Sequence, residues 1–244
     1  MNKSVSADID PLLLGDLMPF KLLALSDIHG KKSHLGSILE KLNSSRLDLV
    51  VVCGDITHFA TKAEELRPVL EVIERSGFPY CYVLGNCDPP ELREGVDSMG
   101  TCLESSCLPI SGFNIIGAGG ATPTPFGTPF EIEEQDIIER LERGRSKCQT
   151  PGENGLIIVT HNPPRGAIVD KTRMGTHVGS PELLRYILEK KPLLVLTGHI
   201  HEAIGTEKIG ETTVLNPGPA LRGSYAVVEI ETERRLVRVD HGSL

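Results

Sequence analysis

Residues 21–55 read KLLALSDIHGKKSHLGSILEKLNSSRLDLVVVCGD. The run KLLALS predicts a buried strand over Lys21–Ser26. Leu35, Ile38, Leu39 and Leu42 follow at helical spacing, which predicts a helix over Ser33–Leu42 with Ser33 as its N-cap. LDLVVVC predicts a second buried strand over Leu47–Cys53. Such a unit implies a right-handed crossover between parallel strands. Each strand also ends abruptly in ligand-type residues, Asp27-Ile-His29 after the first and Gly54-Asp55 after the second.

Further along, the rhythm repeats. Glu64–Arg75 carries Leu66, Val69, Leu70 and Ile73 on one helical face, and Tyr80–Leu84 reads as a third strand. Short strands are expected over Leu103–Ile110 and Phe113–Gly117. A long proline-bearing loop over 121–130 reads either as a cleft rim or as a packing loop. A charged helix follows over Ile132–Arg143, then a buried strand over Leu156–Thr160. Ser180–Lys190 predicts a helix capped by Ser180 with Pro181 at its first position. Leu193–Thr197 is a further strand. Ala203–Leu215 and Ser224–Asp240 suggest an antiparallel meander. Residues 1–19 read as an N-terminal extension and 20–244 as a single domain.

The chain has 244 residues and a formal net charge of −8. That length can bury a core without disulfides. No apolar run approaches the roughly 20 residues of a membrane span. The acidic balance disfavours extended nucleic-acid binding, because phosphates are repelled. A small anionic ligand remains compatible if a metal site reverses the sign locally. Six cysteines form no C-x-x-C pair. Cys53 and Cys81 read as buried thiols. Cys102 and Cys107 flank a turn, but no native disulfide is expected, and the compartment is read as cytoplasmic.

Five apolar runs end in Asp, His or Asn: Asp27 and His29, Asp55, Asn86, His161, and His199 with His201. In open α/β sheets the carboxyl ends of strands form the ligand crevice. Residues two apart in extended backbone share a side, so Asp27 with His29, and His199 with His201, offer paired ligands. Taken singly, a strand-end Asp is a turn former and a lone histidine an interior hydrogen-bonder. Five at one edge are expected to converge on metal. Carboxylate, imidazole and amide oxygen suit Mn, Fe, Zn, Ni or Co.

The motifs Asp27-Ile-His29, Gly54-Asp55, Gly85-Asn86-Cys87-Asp88, Thr160-His161 and Gly198-His199-Ile-His201 resemble, in order, those of the calcineurin-like metallophosphoesterase superfamily. The likeness runs from residue 21 to about 240, and Asn216-Pro-Gly together with His177-Val-Gly-Ser is similar to a compact archaeal and bacterial phosphodiesterase-like branch. It implies a four-layer αββα sandwich of two mixed sheets flanked by helices, with a dinuclear metal site at the strand carboxyl ends. Asp27, His29, Asp55 and His201 would hold one divalent ion. Asp55, Asn86, His161 and His199 would hold the second, with Asp55 bridging. It also implies hydrolysis of a small anionic phosphoester by a hydroxide bridging the ions, with Asn86 helping to hold phosphoryl oxygens.

Position 87 is Cys where many members carry an acid-supplying His. A thiol is a poorer acid near neutrality. Cys87 is expected beside the site without being a ligand. His177 is then either an exposed loop residue or the substitute acid. Asp88 either caps the next segment or orients its neighbours. His58 is a polar loop residue or stands behind the ligands, and His34 is expected to face solvent. A small-molecule phosphodiesterase is the leading function. A phosphomonoesterase or protein phosphatase, using Arg165, Arg173 and Arg222, and a non-catalytic interaction module are the alternatives.

Overall fold

Alternate residues of the central strands belong to different layers, and this sorting builds the fold. On β1 (Phe20–Leu25) and β2 (Leu49–Cys53), Leu23, Leu25, Val50 and Val52 pack with α1 (Lys32–Leu42) and α2 (Ala63–Ser76). Their neighbours Leu22, Ala24, Val51 and Cys53 point the other way, into a second sheet. There they meet Phe113, Ile115, Ile157 and Val159 of β6 (Phe113–Ala118) and β7 (Gly155–Thr160). Ile116 and Ile158, on the far face of that sheet, pack under α3 (Glu134–Ser146) and α4 (Pro181–Lys190). A period of two with both faces apolar thus yields helix, sheet, sheet and helix in four layers. The computed structural model describes residues 18–59, 63–96, 98–149, 152 and 154–244. Most of the expected extension over 1–19 lies outside them.

The first sheet adds β3 (Tyr80–Val83), β4 (Thr101–Cys102), β11 (Tyr225–Glu231) and β12 (Leu236–Gly242), in the order β12-β11-β1-β2-β3-β4. Strands β1 to β4 are parallel, while β11 pairs antiparallel with both β1 and β12. The second is ordered β5-β6-β7-β8-β10-β9, with β5 (Cys107–Ile110), β8 (Leu194–Leu196), β9 (Gly205–Ile209) and β10 (Thr212–Asn216). Its central strands β6, β7, β8 and β10 are parallel.

Several expectations need correction. The two late hairpins are not one meander: β10 joins β8 in the second sheet, whereas β11 joins β1 in the first. β10 is buried throughout while β11 and β12 alternate, and neither pattern says which sheet receives the strand. Helix α1 starts two residues early, with Lys31 at its N-cap and no side-chain cap, so Ser33 lies inside it. Ser180, by contrast, does cap α4, its Oγ accepting from the Leu183 N–H at 3.0 Å. His34 is half-buried rather than fully solvated, with a ring nitrogen 2.8 Å from the Leu221 carbonyl. Cys107 is disulfide-bonded, to Cys148 rather than Cys102, with Cα atoms 5.4 Å apart. Edge strand β5 runs past the end of α3, a proximity that a separation of 41 residues conceals. The pair removes the thiol-based argument for a reducing compartment. Among the described residues no helix is long and apolar enough to cross a membrane.

Candidate metal centre

The two sheets end side by side, and their terminal loops are stitched edge to edge. The Asp27 N–H donates to the Gly54 carbonyl at 3.0 Å, and the His29 N–H to the Asp55 carbonyl at 2.9 Å. The Gly198 N–H donates to the His161 carbonyl at 3.1 Å. These bonds hold Asp27, His29, Asp55 and His199 at φ of 52°, 45°, 50° and 69°. Non-glycine residues in the left-handed region each cost on the order of 1–3 kcal/mol and cluster where function requires them. This backbone swings each side chain out of its strand and toward the seam.

Two groups of donors result. His201 Nε2 lies 3.1 Å from Asp27 Oδ1 and 3.3 Å from His29 Nε2, while Asp55 Oδ2 lies 3.6 Å from His29 Nε2. On the other side, His161 Nε2 lies 2.8 Å from Asn86 Oδ1 and 3.5 Å from Asp55 Oδ1. The His199 ring centroid is 5.1 Å from that of His161. Each Asp55 oxygen therefore faces a different group. All seven expected ligands are brought together.

The residues fit a metal on observations other than resemblance. Asp27 Oδ2 is buried and has no hydrogen-bond partner, which is costly unless a cation meets it. Ligand-type atoms of Asp27, His29 and His201, and of Asp27, Asp55 and His161, lie within 4.8 Å of one another. The glycines before the ligands leave no room for a Cβ: at Gly54 it would stand 2.6 Å from His161 Nδ1, and at Gly198 1.8 Å from Ser26 Oγ. Nδ1 of His161 is 2.8 Å from the Cys53 carbonyl, which fixes its proton there and leaves Nε2 to face the cluster.

The electrostatics agree. Burial alone would strip the proton from His161, but the Asp55 carboxylate outweighs this and raises it to about 9. Burial and the charge on His161 lower His199 to about 4. Asp55, despite burial, is held below the usual carboxylate range by His161 and His29. His201 is raised by its hydrogen bond to Asp27. A cation must displace these protons. Loading at pH 7 is accordingly expected to release about one proton, since a histidine at about 9 is still charged there. Apparent affinity should climb as pH rises toward 9. Calorimetry in buffers of different ionisation enthalpy checks this, and an enthalpy independent of buffer would refute a protonated His161.

The supporting residues divide sharply. Asp88 is fully buried and accepts from the Ile56, Thr57 and Gly85 N–H groups at 2.9, 2.7 and 2.9 Å, and from Thr57 Oγ1 at 2.6 Å. It clamps the Asp55 and Asn86 loops together. It does not cap the next segment, where Pro89 is the cap residue. Burial and the nearby Asp55 raise Asp88 to about 6. Cys87 is buried, and its N–H donates to Asp55 Oδ1 at 2.8 Å. Its sulfur falls within 4.8 Å of donor atoms of His29 and Asp55. Burial and Asp55 push the thiol well up, so it keeps its proton. His58 Nδ1 is 3.3 Å from His29 Nδ1.

His177 stands apart from the cluster. Its Nδ1 lies 2.6 Å from Oδ1 of the buried Asp170, and its neighbours Thr176 and Val178, not the histidine itself, line the cleft over the site. Arg173 and Arg222 line that cleft, but Arg165 does not. The sequence reading gave Asn216 no role beyond the Asn216-Pro-Gly likeness; its Nδ2 donates to the Ile200 carbonyl at 3.0 Å, steadying the loop between His199 and His201. That reading missed Asn162, whose Oδ1 accepts from the Thr122 N–H at 3.2 Å and ties down the proline-bearing loop. Asn162 directly follows His161, and Asn216 ends an apolar strand, so both carried the same strand-end signal.

Two cavities, of about 800 and 460 Å³, adjoin over the cluster and share Asn86, Phe126, His199 and His201. The smaller reaches His29, Asp55, His58 and Cys87. The larger runs between the loop at 122–126 and the turn at 172–176. The proline-bearing loop is therefore a rim.

The family model for the calcineurin-like phosphoesterase superfamily domain matches residues 20–233. An uncharacterised protein of Methanocaldococcus jannaschii is 31% identical over 227 residues, covering 90% of this chain and 95% of its own. The Thermus thermophilus protein TT1561 superposes with a TM-score of 0.68 at 18% identity, over 93% of this chain and 99% of that one. A dimetal phosphatase from Danio rerio gives a TM-score of 0.57 at 11% identity, over 87% and 93%. At these identities the structural likenesses speak for the fold.

Proposed function

The chain belongs to the calcineurin-like phosphoesterase superfamily and is a metal-dependent phosphoesterase, and from that premise we propose that it hydrolyses small phosphodiesters at a centre of two divalent ions. One observation carries the diester reading: two adjoining cavities open from the shared residues Asn86, Phe126, His199 and His201. A phosphodiester has two substituents on phosphorus, and each lobe can take one. A monoester has only one.

When bound, divalent ions supply Lewis-acid polarisation of the phosphoryl group and acidify water. Asp27, His29, Asp55 and His201 would hold one, and Asp55, Asn86, His161 and His199 the other. The remaining steps belong to the protein. Asn86 Oδ1 is turned to His161 and one amide N–H donates to the Cys87 sulfur at 3.7 Å, so the second N–H is left to steady a phosphoryl oxygen. Cys53 orients His161, and Asp88 keeps the Asp55 and Asn86 loops in register. The Cys87 thiol keeps its proton and replaces no imidazolium. Leaving groups that need little protonation are therefore favoured.

Arg173 and Arg222 in the larger lobe favour a second reading, a phosphomonoesterase, because guanidinium pairs suit a dianion. With Mn added, bis(p-nitrophenyl) phosphate is expected to turn over at least ten times faster than p-nitrophenyl phosphate. The reverse order would establish the second reading. Turnover of neither, at full metal content, would leave a non-catalytic module.

A further inference from the structure

Two arginines, Arg173 and Arg222, line the larger lobe against a single glutamate, Glu202. Arg140, Arg143, Arg145 and Arg185 are each bound to a glutamate. Arg173 and Arg222 form no ion pair among the described residues, although both line the lobe. In a chain of net charge −8, two cations left unpaired beside a substrate cleft call for an external anion. Glu202 is the one acid in that lining, and its Oε1 already accepts from the Arg173 backbone N–H at 3.2 Å.

The same lobe is unusually apolar at its mouth. Phe126 is 83% exposed and Met174 92% exposed, and Val178 also faces the cavity from an exposed position. Large apolar groups so fully in water mark a contact surface. Both walls are built to hold them still. On one, the Thr128 N–H and the Thr124 and Thr128 hydroxyls all donate to Glu131 Oε1, which fixes the loop bearing Phe126. On the other, the Gly175 N–H donates to the Thr172 carbonyl at 2.8 Å and the Thr172 N–H to the Thr176 carbonyl at 2.9 Å, leaving Arg173 and Met174 at the tip. Buried Asp170 secures the foot of that turn by accepting from His177 and from the Gly166 and Gly179 N–H groups. Preorganised walls lower the ordering cost of binding.

We propose that this lobe recognises the part of the substrate that is not cleaved: an apolar or aromatic substituent of the phosphodiester that carries a second anionic group. Phe126 and Met174 cover its apolar face, and Arg173, with Arg222, takes its distal phosphate or carboxylate. Arg173 is a specificity residue and touches no metal ligand. The inference rests on the diesterase reading and names the substrate class for that site.

The test compares three diesters on the Mn-loaded protein: p-nitrophenyl phenyl phosphate, and its counterparts bearing a carboxylate or a phosphonate at the far end of the phenyl ring. For the native chain, KM for the better of the two diesters with a second anionic group is expected to be about tenfold below that of the unsubstituted diester, which is charged only at phosphorus, the scale of one charge-assisted hydrogen bond. The order of the two substituted compounds tells carboxylate from phosphate recognition. Arg173→Gln should raise KM for the diesters with a second anionic group about tenfold relative to KM for the unsubstituted diester. In the native chain, added salt should raise KM more for the diesters with a second anionic group than for the unsubstituted one, a readout that needs no variant. Equal effects of Arg173→Gln on the diesters with and without the second anionic group, or none, together with a salt-independent preference, would overturn the assignment. Cleavage of p-nitrophenyl phosphate but of none of the three diesters overturns the diesterase reading itself, and the substrate class named here falls with it.

Discussion

Replacing Asp55 with Asn is expected to lower phosphoester turnover by about a thousandfold or more, since it removes a preorganised charge from both halves of the centre. Its two carboxylate oxygens face different donor groups, Oδ2 toward His29 at 3.6 Å and Oδ1 toward His161 at 3.5 Å. An amide offers one oxygen in place of two and no charge. The Asn side chain can still accept from the Cys87 N–H, now 2.8 Å from Oδ1, so the local backbone should persist. Loss of the negative charge also relieves the main influence holding a proton on His161, whose pKa should fall from about 9 toward the value burial dictates. Elemental analysis should then find bound metal reduced from about two ions per chain to one or none. Unchanged metal content together with unchanged turnover would refute Asp55 as the shared ligand.

The second large effect is expected from Gly85→Ala, where one methyl group does the damage. A Cβ at Gly85 would stand 2.0 Å from Asp55 Oδ1 and 2.1 Å from the Asp55 N atom. The Asp55 loop must move, and Asp88, which accepts from both the Gly85 and Ile56 N–H groups, moves with it. Overpacking of this kind costs about 1–3 kcal/mol, which lowers Tm by several degrees in a domain of this size. A ligand displaced by an ångström costs on the order of a hundredfold in rate. Gly36→Ala is the control. It lies inside α1, and its Cβ would meet only Val72 Cγ1, at 3.9 Å. There the substitution should raise stability by roughly 0.5–1 kcal/mol, because alanine loses less backbone entropy in a helix. A Gly85→Ala protein that melts and turns over like the native chain would mean that the loops at the centre tolerate displacement.

Much of this protein was legible before any tertiary structure. Apolar runs buried on both faces gave β1, β2 and β7 within a residue or two, because strands covered on two sides leave an unbroken hydrophobic signature. The ligand-type residues were legible for a related reason. Each follows such a run at once, and strand ends at one sheet edge must converge. Seven residues spread from Asp27 to His201 could therefore be grouped without knowing a single distance. The glycines at 54, 85 and 198 belonged to the same signal, and the structure supplies their reason, which is contact with His161, Asp55 and Ser26.

What sequence could not supply was anything fixed by elements remote in the chain. Which sheet receives β10 and which receives β11 depends on what each strand finds already paired, which no local pattern records. The Cys107–Cys148 bond depends on an edge strand passing a helix end. Asp and His tolerate the left-handed backbone better than most residues, but their type alone does not single out Asp27, His29, Asp55 and His199; hydrogen bonds from neighbouring loops impose it there. His177 shows the same limit. Its loop and its chemistry were visible, but only the fold sets Asp170 beneath it and presents Thr176 and Val178 to the cleft in its place. Local sequence determined the strands and the kinds of ligand at their ends, because burial and termination are written residue by residue. The direction of each side chain was decided by tertiary structure, because a dihedral angle at a strand end answers to whichever loop lies across from it.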